Sequence, residues 1–265
     1  MPEPSDPPVR EGRIASGTFA YTDEGEGPAV LLIHGLPGSQ RDFRWFTPHL
    51  LGVRVLRVDQ PGFGGTPVST EPSVDPARRA AFLGATLDAL GVDKVVAVGH
   101  SFGGLLAAEL AAREPERVLG LGLLGSVGTR EHRARRTFGP WTSLSNGLRV
   151  PLLGRTLLPR VRKAFVAVGF SSSLTDDDLI HTVHRVATAD FRRHRHNLAE
   201  VRCSTLVAWC EDDAMVEVAI AEDLAARCAP GPRLSWPEGG HSLQKTRAAE
   251  LGPAVAAWAI ELLTR

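Results

Sequence analysis

At 265 residues, the chain can bury a full core in one large domain and still carry an inserted subdomain. Hydrophobic residues make up 43% and 30 Lys+Arg balance 30 Asp+Glu, so overall charge points neither to nucleic acid nor to a membrane surface. No run of 18 or more apolar residues is present, which argues against a transmembrane helix. Three widely spaced cysteines, Cys203, Cys210 and Cys228, form neither a disulfide framework nor a metal-ligand spacing and favour a reducing cytoplasm.

The Pro-rich, acidic segment 1–12 reads as a loose leader without the apolar core of a secretion signal. Arg13 to Asp23 alternates as one or two edge strands, broken near Gly17. Ala29 to Ile33 is a fully apolar strand that runs into His34-Gly35-Leu36-Pro37-Gly38-Ser39. The spacing predicts a helix over Gln40–Leu51 and a strand over Val53–Val58. Asp59-Gln60-Pro61-Gly62-Phe63-Gly64-Gly65-Thr66 is a loop by its Pro and Gly content. Asp75 to Leu90 is a helix with Gly91 placed to stop it.

The central stretch runs from Asp93 to Ala111. Val95 to Val98 is a β-branched apolar strand suited to burial on both faces. Gly99-His100-Ser101-Phe102-Gly103 follows, after which Leu105, Leu106, Ala108 and Leu110 resume at helical spacing. A strand that turns into a helix within about one residue bends too sharply for bulky neighbours, and glycines two places either side of Ser101 remove the collision. The serine is left on a strained apex with its Oγ exposed at the positive end of the new helix.

Val118 to Leu124 is another strand, and strands alternating with helices imply a mostly parallel sheet covered on both faces. Residues 126–200 break the rhythm. They carry 13 Lys+Arg against 6 Asp+Glu and five of the nine histidines, with helical periodicity throughout. This is a helical insertion into a core made of 1–125 and 201–265. The insertion's seven surplus positive charges face an equally acidic core, which predicts either a positive rim attracting anionic substrates or an electrostatic bond between the two parts. Strands return at Thr205–Trp209 and Arg233–Trp236, with a helix over Val216–Cys228 between them. Pro253 is read as opening the last helix, with Val255, Trp258 and Leu262 on one face.

A serine hydroxyl needs a base to become nucleophilic. His241, in Glu238-Gly239-Gly240-His241-Ser242 between the final strand and final helix, fits the order serine, acid, histidine. The base needs a carboxylate to hold its tautomer, and the loop after Trp209 offers Glu211, Asp212 and Asp213 without choosing among them. Backbone amides of Phe102 and Leu36 are the candidate oxyanion donors, and Pro37 biases Leu36 away from helix.

With these residues in place, the chain resembles the α/β-hydrolase superfamily, in particular its small, cap-bearing serine hydrolases. The likeness covers everything outside the leader, through the HGLPGS, DQPGFGGT, GHSFGG, EDD and GGH segments. It implies an eight-stranded, mostly parallel sheet with helices on both faces and residues 126–200 as a helical cap between strands six and seven. It suggests a cis peptide bond before Pro37. It also chooses the acid: the family pattern G-x-x-D, with Cys210 at the glycine position, makes Asp213 the third member beside Ser101 and His241.

Epoxide hydrolases and haloalkane dehalogenases share this layout but place an aspartate where this chain has Ser101. Epoxide hydrolases also use cap tyrosines, whereas the only tyrosine here is Tyr21. Carbon–carbon bond hydrolases share the serine triad but usually carry a tryptophan soon after the histidine, where this chain has Ser242, Leu243 and Gln244.

Asp176, Asp177, Asp178, His181 and His184 read as a capped helix start and its continuation rather than metal ligands, because Thr175 begins a capping box. The run Arg192-Arg193-His194-Arg195-His196 lacks interleaved aromatics and reads as a solvated face. The expectation is a cytoplasmic hydrolase of an ester, thioester or related small carbonyl substrate, acting through an acyl-enzyme without cofactor, metal, nucleic acid or membrane. The alternatives are a non-hydrolytic enzyme using the same three residues, such as a lyase or cyclase, and a slow-turnover receptor.

Overall fold

The computed structural model describes residues 4, 6–137 and 140–264. Its frame is one sheet of eight strands in the order β1-β2-β4-β3-β5-β6-β7-β8. The strands are β1 (Arg10–Ile14), β2 (Gly17–Glu24), β3 (Ala29–Ile33), β4 (Arg54–Val58), β5 (Val95–His100), β6 (Val118–Leu124), β7 (Ser204–Cys210) and β8 (Arg233–Trp236). Only the β1–β2 and β2–β4 pairings are antiparallel, and β4 through β8 run parallel.

The apolar run of β3 divides between two cores because successive side chains point to opposite faces. Leu31 and Ile33 join a cluster with α1 (Pro76–Ala89) and α2 (Phe102–Arg113). Val30 and Leu32 join a second with α9 (Leu243–Thr246) and α10 (Ala248–Leu263). Asp75 caps α1 through the Ala77 amide, and Gly91 takes φ 65° just past its end. α8 (Val218–Arg227) packs against β7.

Between β6 and β7 the chain is helical: α3 (Arg133–Thr137), α4 (Trp141–Leu148), α5 (Pro151–Ala167), α6 (Asp176–Ala187) and α7 (Phe191–Glu200). Trp141, Phe165, Leu179, Val183 and Leu198 belong to the same apolar cluster as α1, α2 and β3. The insertion therefore shares the core of the sheet rather than closing one of its own. Two arginines hold it from the polar side. Arg185 of α6 stacks 4.6 Å over the Phe63 ring and donates to the Pro61 carbonyl. Arg193 of α7 grips the buried Glu109 of α2 through Nε at 2.8 Å, with Asn197 on the same carboxylate.

Four expectations need correction. The segment 1–12 is not loose throughout: β1 begins at Arg10, and Asp6 pairs with Arg57 at 3.1 Å and with Arg41 at 2.9 Å. Residues 40–51 form two 3₁₀ turns, Gln40–Phe43 and Thr47–His49, instead of one helix. Ser39 and Asp42 make the capping box that starts the first, but Pro48 has no N–H to donate four residues back, so the turn cannot propagate. The last helix begins at Ala248, not Pro253, which sits inside it. Burial of Leu251, Val255, Trp258 and Ala259 outweighs the one lost hydrogen bond. Finally, the Arg192–His196 run is not a solvated face. Arg192, Arg195 and His196 are exposed, but His194 is buried and Arg193 turns inward to Glu109. Among the described residues no helix is long and apolar enough to cross a membrane.

Candidate active site

β5 ends at His100 and α2 begins at Phe102, leaving Ser101 as the single residue between them. Its backbone is at φ 53°, ψ −120°, the one positive φ at a non-glycine among the described residues, and such strain persists only where the surroundings impose it. They do so here. A Cβ on Gly99 would lie 2.3 Å from the Gly103 carbonyl oxygen, and one on Gly103 2.1 Å from that of Ile33. The Ser101 N–H donates to Leu124 at 2.9 Å and its carbonyl accepts from Val127 at 3.3 Å, so both sides of the bend are tied to the β6 end.

Ser101 Oγ lies 2.9 Å from His241 Nε2, and His241 Nδ1 lies 2.8 Å from Asp213 Oδ2. A carboxylate only accepts, so Nδ1 carries the proton and Nε2 is free to take that of the serine. The other oxygen of Asp213 accepts from the Met215 and Val216 amides at 2.7 and 2.9 Å. Burial pushes this carboxyl up, but the His241 hydrogen bond and charge and the two amides outweigh it and hold it below its ordinary value.

Of the three acids left open by the loop after Trp209, only Asp213 reaches His241. Asp212 lies on the surface and accepts from the Gly239 and Gly240 amides at 3.1 and 2.7 Å, so it fastens the loop that carries His241. Among the described residues no such bond is made by Glu211, whose side chain is exposed.

Leu36 and Phe102, the two residues whose amides are the predicted donors, line the same space as Ser101. Phe102 is the first residue of α2, so no helical carbonyl lies behind its N–H. Leu36 precedes Pro37 across a cis peptide bond. Among the described residues no protein acceptor takes either N–H. Two donors beside a nucleophile can stabilise an oxyanion. His34 and His100 flank this loop as neutral groups, each imidazole pushed down to about 3, chiefly by burial.

Ser101 opens onto two spaces. The outer one, about 500 Å³, is lined by Asp42, Arg44, Trp45, Asp212, His241 and Lys245 among others. Arg44 and Lys245 each sit 5.9 Å from the centre of the Trp45 ring. Asp42 is pushed up to about 7, mainly by burial, against the pull of the Ser39 amide and Arg44. The inner space, about 40 Å³, lies under the insertion against Phe102, Trp141, Phe165 and Met215. The residues from α4 to α6 in this wall were not legible as site residues, because nothing in a helical apolar pattern distinguishes a pocket wall from core.

Asp176, Asp177 and Asp178, read from the sequence as a capped helix start, form the first turn of α6. Thr175 and Asp178 complete a capping box at the start of α6, and among the described residues no group of three or more His, Cys, Asp or Glu side chains could hold a metal. Cys210 is buried at the end of β7 with its thiol pushed up to about 11, mainly by burial, which makes it a packing residue.

A family model described as the alpha/beta hydrolase fold matches residues 28–146. A haloalkane dehalogenase of Mesorhizobium japonicum is 27% identical over 94% of this chain and 90% of its own length. A 2-hydroxy-6-oxo-2,4-heptadienoate hydrolase of Pseudomonas putida is 33% identical over 63% of this chain and 58% of its own length. The structure of a thermophilic esterase from Thermogutta terrifontis superposes with a TM-score of 0.75 over 97% of this chain and all of that one, at 20% identity. That last likeness is one of fold.

Proposed function

The chain belongs to the α/β-hydrolase superfamily, and from the geometry of its site we propose that it is a serine hydrolase acting on an ester, thioester or related small carbonyl compound. The observation that carries this reading is the unbroken chain Ser101 Oγ–His241–Asp213, at 2.9 and 2.8 Å, beside the Leu36 and Phe102 amides. Ser101 Oγ attacks the carbonyl carbon while His241 Nε2 takes its proton. Negative charge moves to the carbonyl oxygen, where the two amides receive it. As the carbonyl reforms, the bond to the leaving group breaks, and His241 gives its proton to the departing alcohol or thiol. Water then repeats the sequence on the acyl-enzyme and releases the acid.

Residues 126–200 act as the cap over this centre. Their positive surplus is partly engaged inside the protein, by Arg136 on Glu217 and Arg193 on Glu109. Arg44 and Lys245, which belong to the core and not to the insertion, line the outer cavity together with Asp42 and Asp212, so an anionic small molecule is one class of substrate the cavity can take. Cys203, Cys210 and Cys228 are free thiols, which suits a reducing cytoplasm.

The likeness to the dienoate hydrolase favours a second reading, cleavage of a carbon–carbon bond by the same serine. Such enzymes usually carry a tryptophan soon after the histidine, and the Ser242, Leu243 and Gln244 that follow His241 here weigh against it. A fluorophosphonate probe with a panel of short p-nitrophenyl esters tests the proposal. Labelling of Ser101 with turnover of the esters supports it, and an unlabelled Ser101 overturns it.

A further inference from the structure

The inner space carries two polar atoms that the protein itself leaves unanswered. Thr182, in α6, is 1% exposed, and its hydroxyl has no hydrogen-bond partner. A threonine inside a helix commonly bonds the carbonyl four residues back, which this hydroxyl does not do. His132, just before α3, is 7% exposed, and its Nδ1 is likewise unpartnered. Both residues line the same space as Ser101, Phe102 and Leu36. Leaving a buried polar atom unpaired costs about 1–3 kcal/mol, and two residues carrying such atoms in the lining of one small space beside Ser101 mark a place where a ligand supplies the missing partner.

The size and charge of the space define that ligand. At about 40 Å³ it admits about three heavy atoms, taking roughly 10–15 Å³ for each water-sized group. Its walls are otherwise apolar: Phe102, Val127, Trp141, Phe165 and Val186. Arg135 also borders it, but its guanidinium is engaged by Glu131 at 3.0 Å, by the Val186 carbonyl and by the Phe191 ring at 5.4 Å. A carboxylate here would be buried without a free cation, whereas a neutral oxygen would be matched. The Thr182 hydroxyl both donates and accepts, and a neutral imidazole Nδ1 does one or the other according to tautomer.

On the reading of Ser101 as the nucleophile, we propose that this inner space is the acyl subsite, and that it selects a short acyl group bearing a hydroxyl or keto oxygen held by Thr182 and His132. The natural substrate class is then an ester or thioester of a short hydroxy- or oxo-acid, with the leaving group in the outer cavity. A site built to pair a substrate oxygen discriminates strongly against the analogue lacking it, because its own polar atoms are then stranded.

The test compares p-nitrophenyl 3-hydroxybutyrate with p-nitrophenyl butyrate, reading the ratio of their kcat/KM values in the wild-type protein, in Thr182→Val and in His132→Leu. The expected wild-type ratio is about tenfold or more in favour of the hydroxy ester, corresponding to one net hydrogen bond, and it collapses toward one in either variant. A wild-type ratio below about twofold overturns the proposal, as does a ratio that survives both substitutions. Fluorophosphonate labelling of the wild-type protein separates the two levels. If Ser101 is labelled but neither ester is turned over faster than by Ser101→Ala, the subsite fails and the nucleophile stands. If Ser101 is not labelled, both fail.

Discussion

His100 donates from Nε2 to the carbonyl oxygen of His241 at 2.9 Å, with the two rings 4.9 Å apart. The residue before Ser101 thus holds the backbone of Ser101's own hydrogen-bond partner, and it does so as a neutral imidazole buried from water. The same condition recurs at three more buried histidines. Burial holds His34 and His100 at about 3, and His132 and His194 at about 4.

These shifts set how stability responds to acid. A histidine whose folded value is depressed binds its proton more readily when unfolded, so its contribution is full above pH 6.5. It is lost as pH falls from there toward 3–4. Each such group contributes a slope of about 1.4 kcal/mol per pH unit within that window. Asp42 and Asp59, both pushed up by burial, act in the opposite sense but are outnumbered. Urea unfolding measured from pH 7 to 4.5 is expected to show steeply falling stability. The His194→Leu variant should show a slope shallower by about one proton, and a flat profile would refute the assignment.

Asp213→Asn should leave the protein folded yet cut kcat by roughly 10⁴, the loss that follows a mis-set histidine tautomer. Asp212→Asn keeps an acceptor for the Gly239 and Gly240 amides and should cost less than about tenfold. Steady-state rates of the two variants on one ester decide the matter. Reversed losses would move the acid to Asp212.

Ser101→Ala keeps the same strained φ of 53° and exposes no buried charge, so its melting temperature should match that of the parent. Its kcat on the preferred ester should fall by about 10⁶. Retention of a tenth of the wild-type rate would point to proton abstraction by His241 in place of acylation.

Arg193→Ala removes the Nε and Nη2 bonds to Glu109, whose side chain is 1% exposed. Breaking a fully buried pair by deleting one partner costs about 3–5 kcal/mol. Arg193 is itself 39% exposed, and Asn197 and the more distant Arg113 remain on Glu109, so about 2 kcal/mol is expected in equilibrium unfolding. A loss below about 1 kcal/mol would show that α7 does not depend on this grip.

What could be read in advance follows from how local each cause is. β3 was legible to the residue because five apolar residues between turns can only be a buried strand. The position of Ser101 was legible because its bend is enforced by neighbours within two places in the chain. Residues 40–51 misled because their apolar spacing looks helical while a single proline decides the outcome. Arg193 misled because its partner, Glu109, is 84 residues away on another element. Thr182 and His132 were silent for the same reason: their significance is the absence of a neighbour, and that emerges only when five helices are folded over the sheet.

If Ser101 is acylated as proposed, the unequal spaces on either side of it set an order of events. An acyl chain lodged among Phe102, Trp141 and Phe165 would block the inner side, so the second reactant would enter from the outer cavity, after the first product has left it. Turnover should accordingly follow ping-pong kinetics. Any small alcohol that occupies the outer cavity as well as water does should compete for the acyl group, turning a hydrolase into a transacylase as its concentration rises.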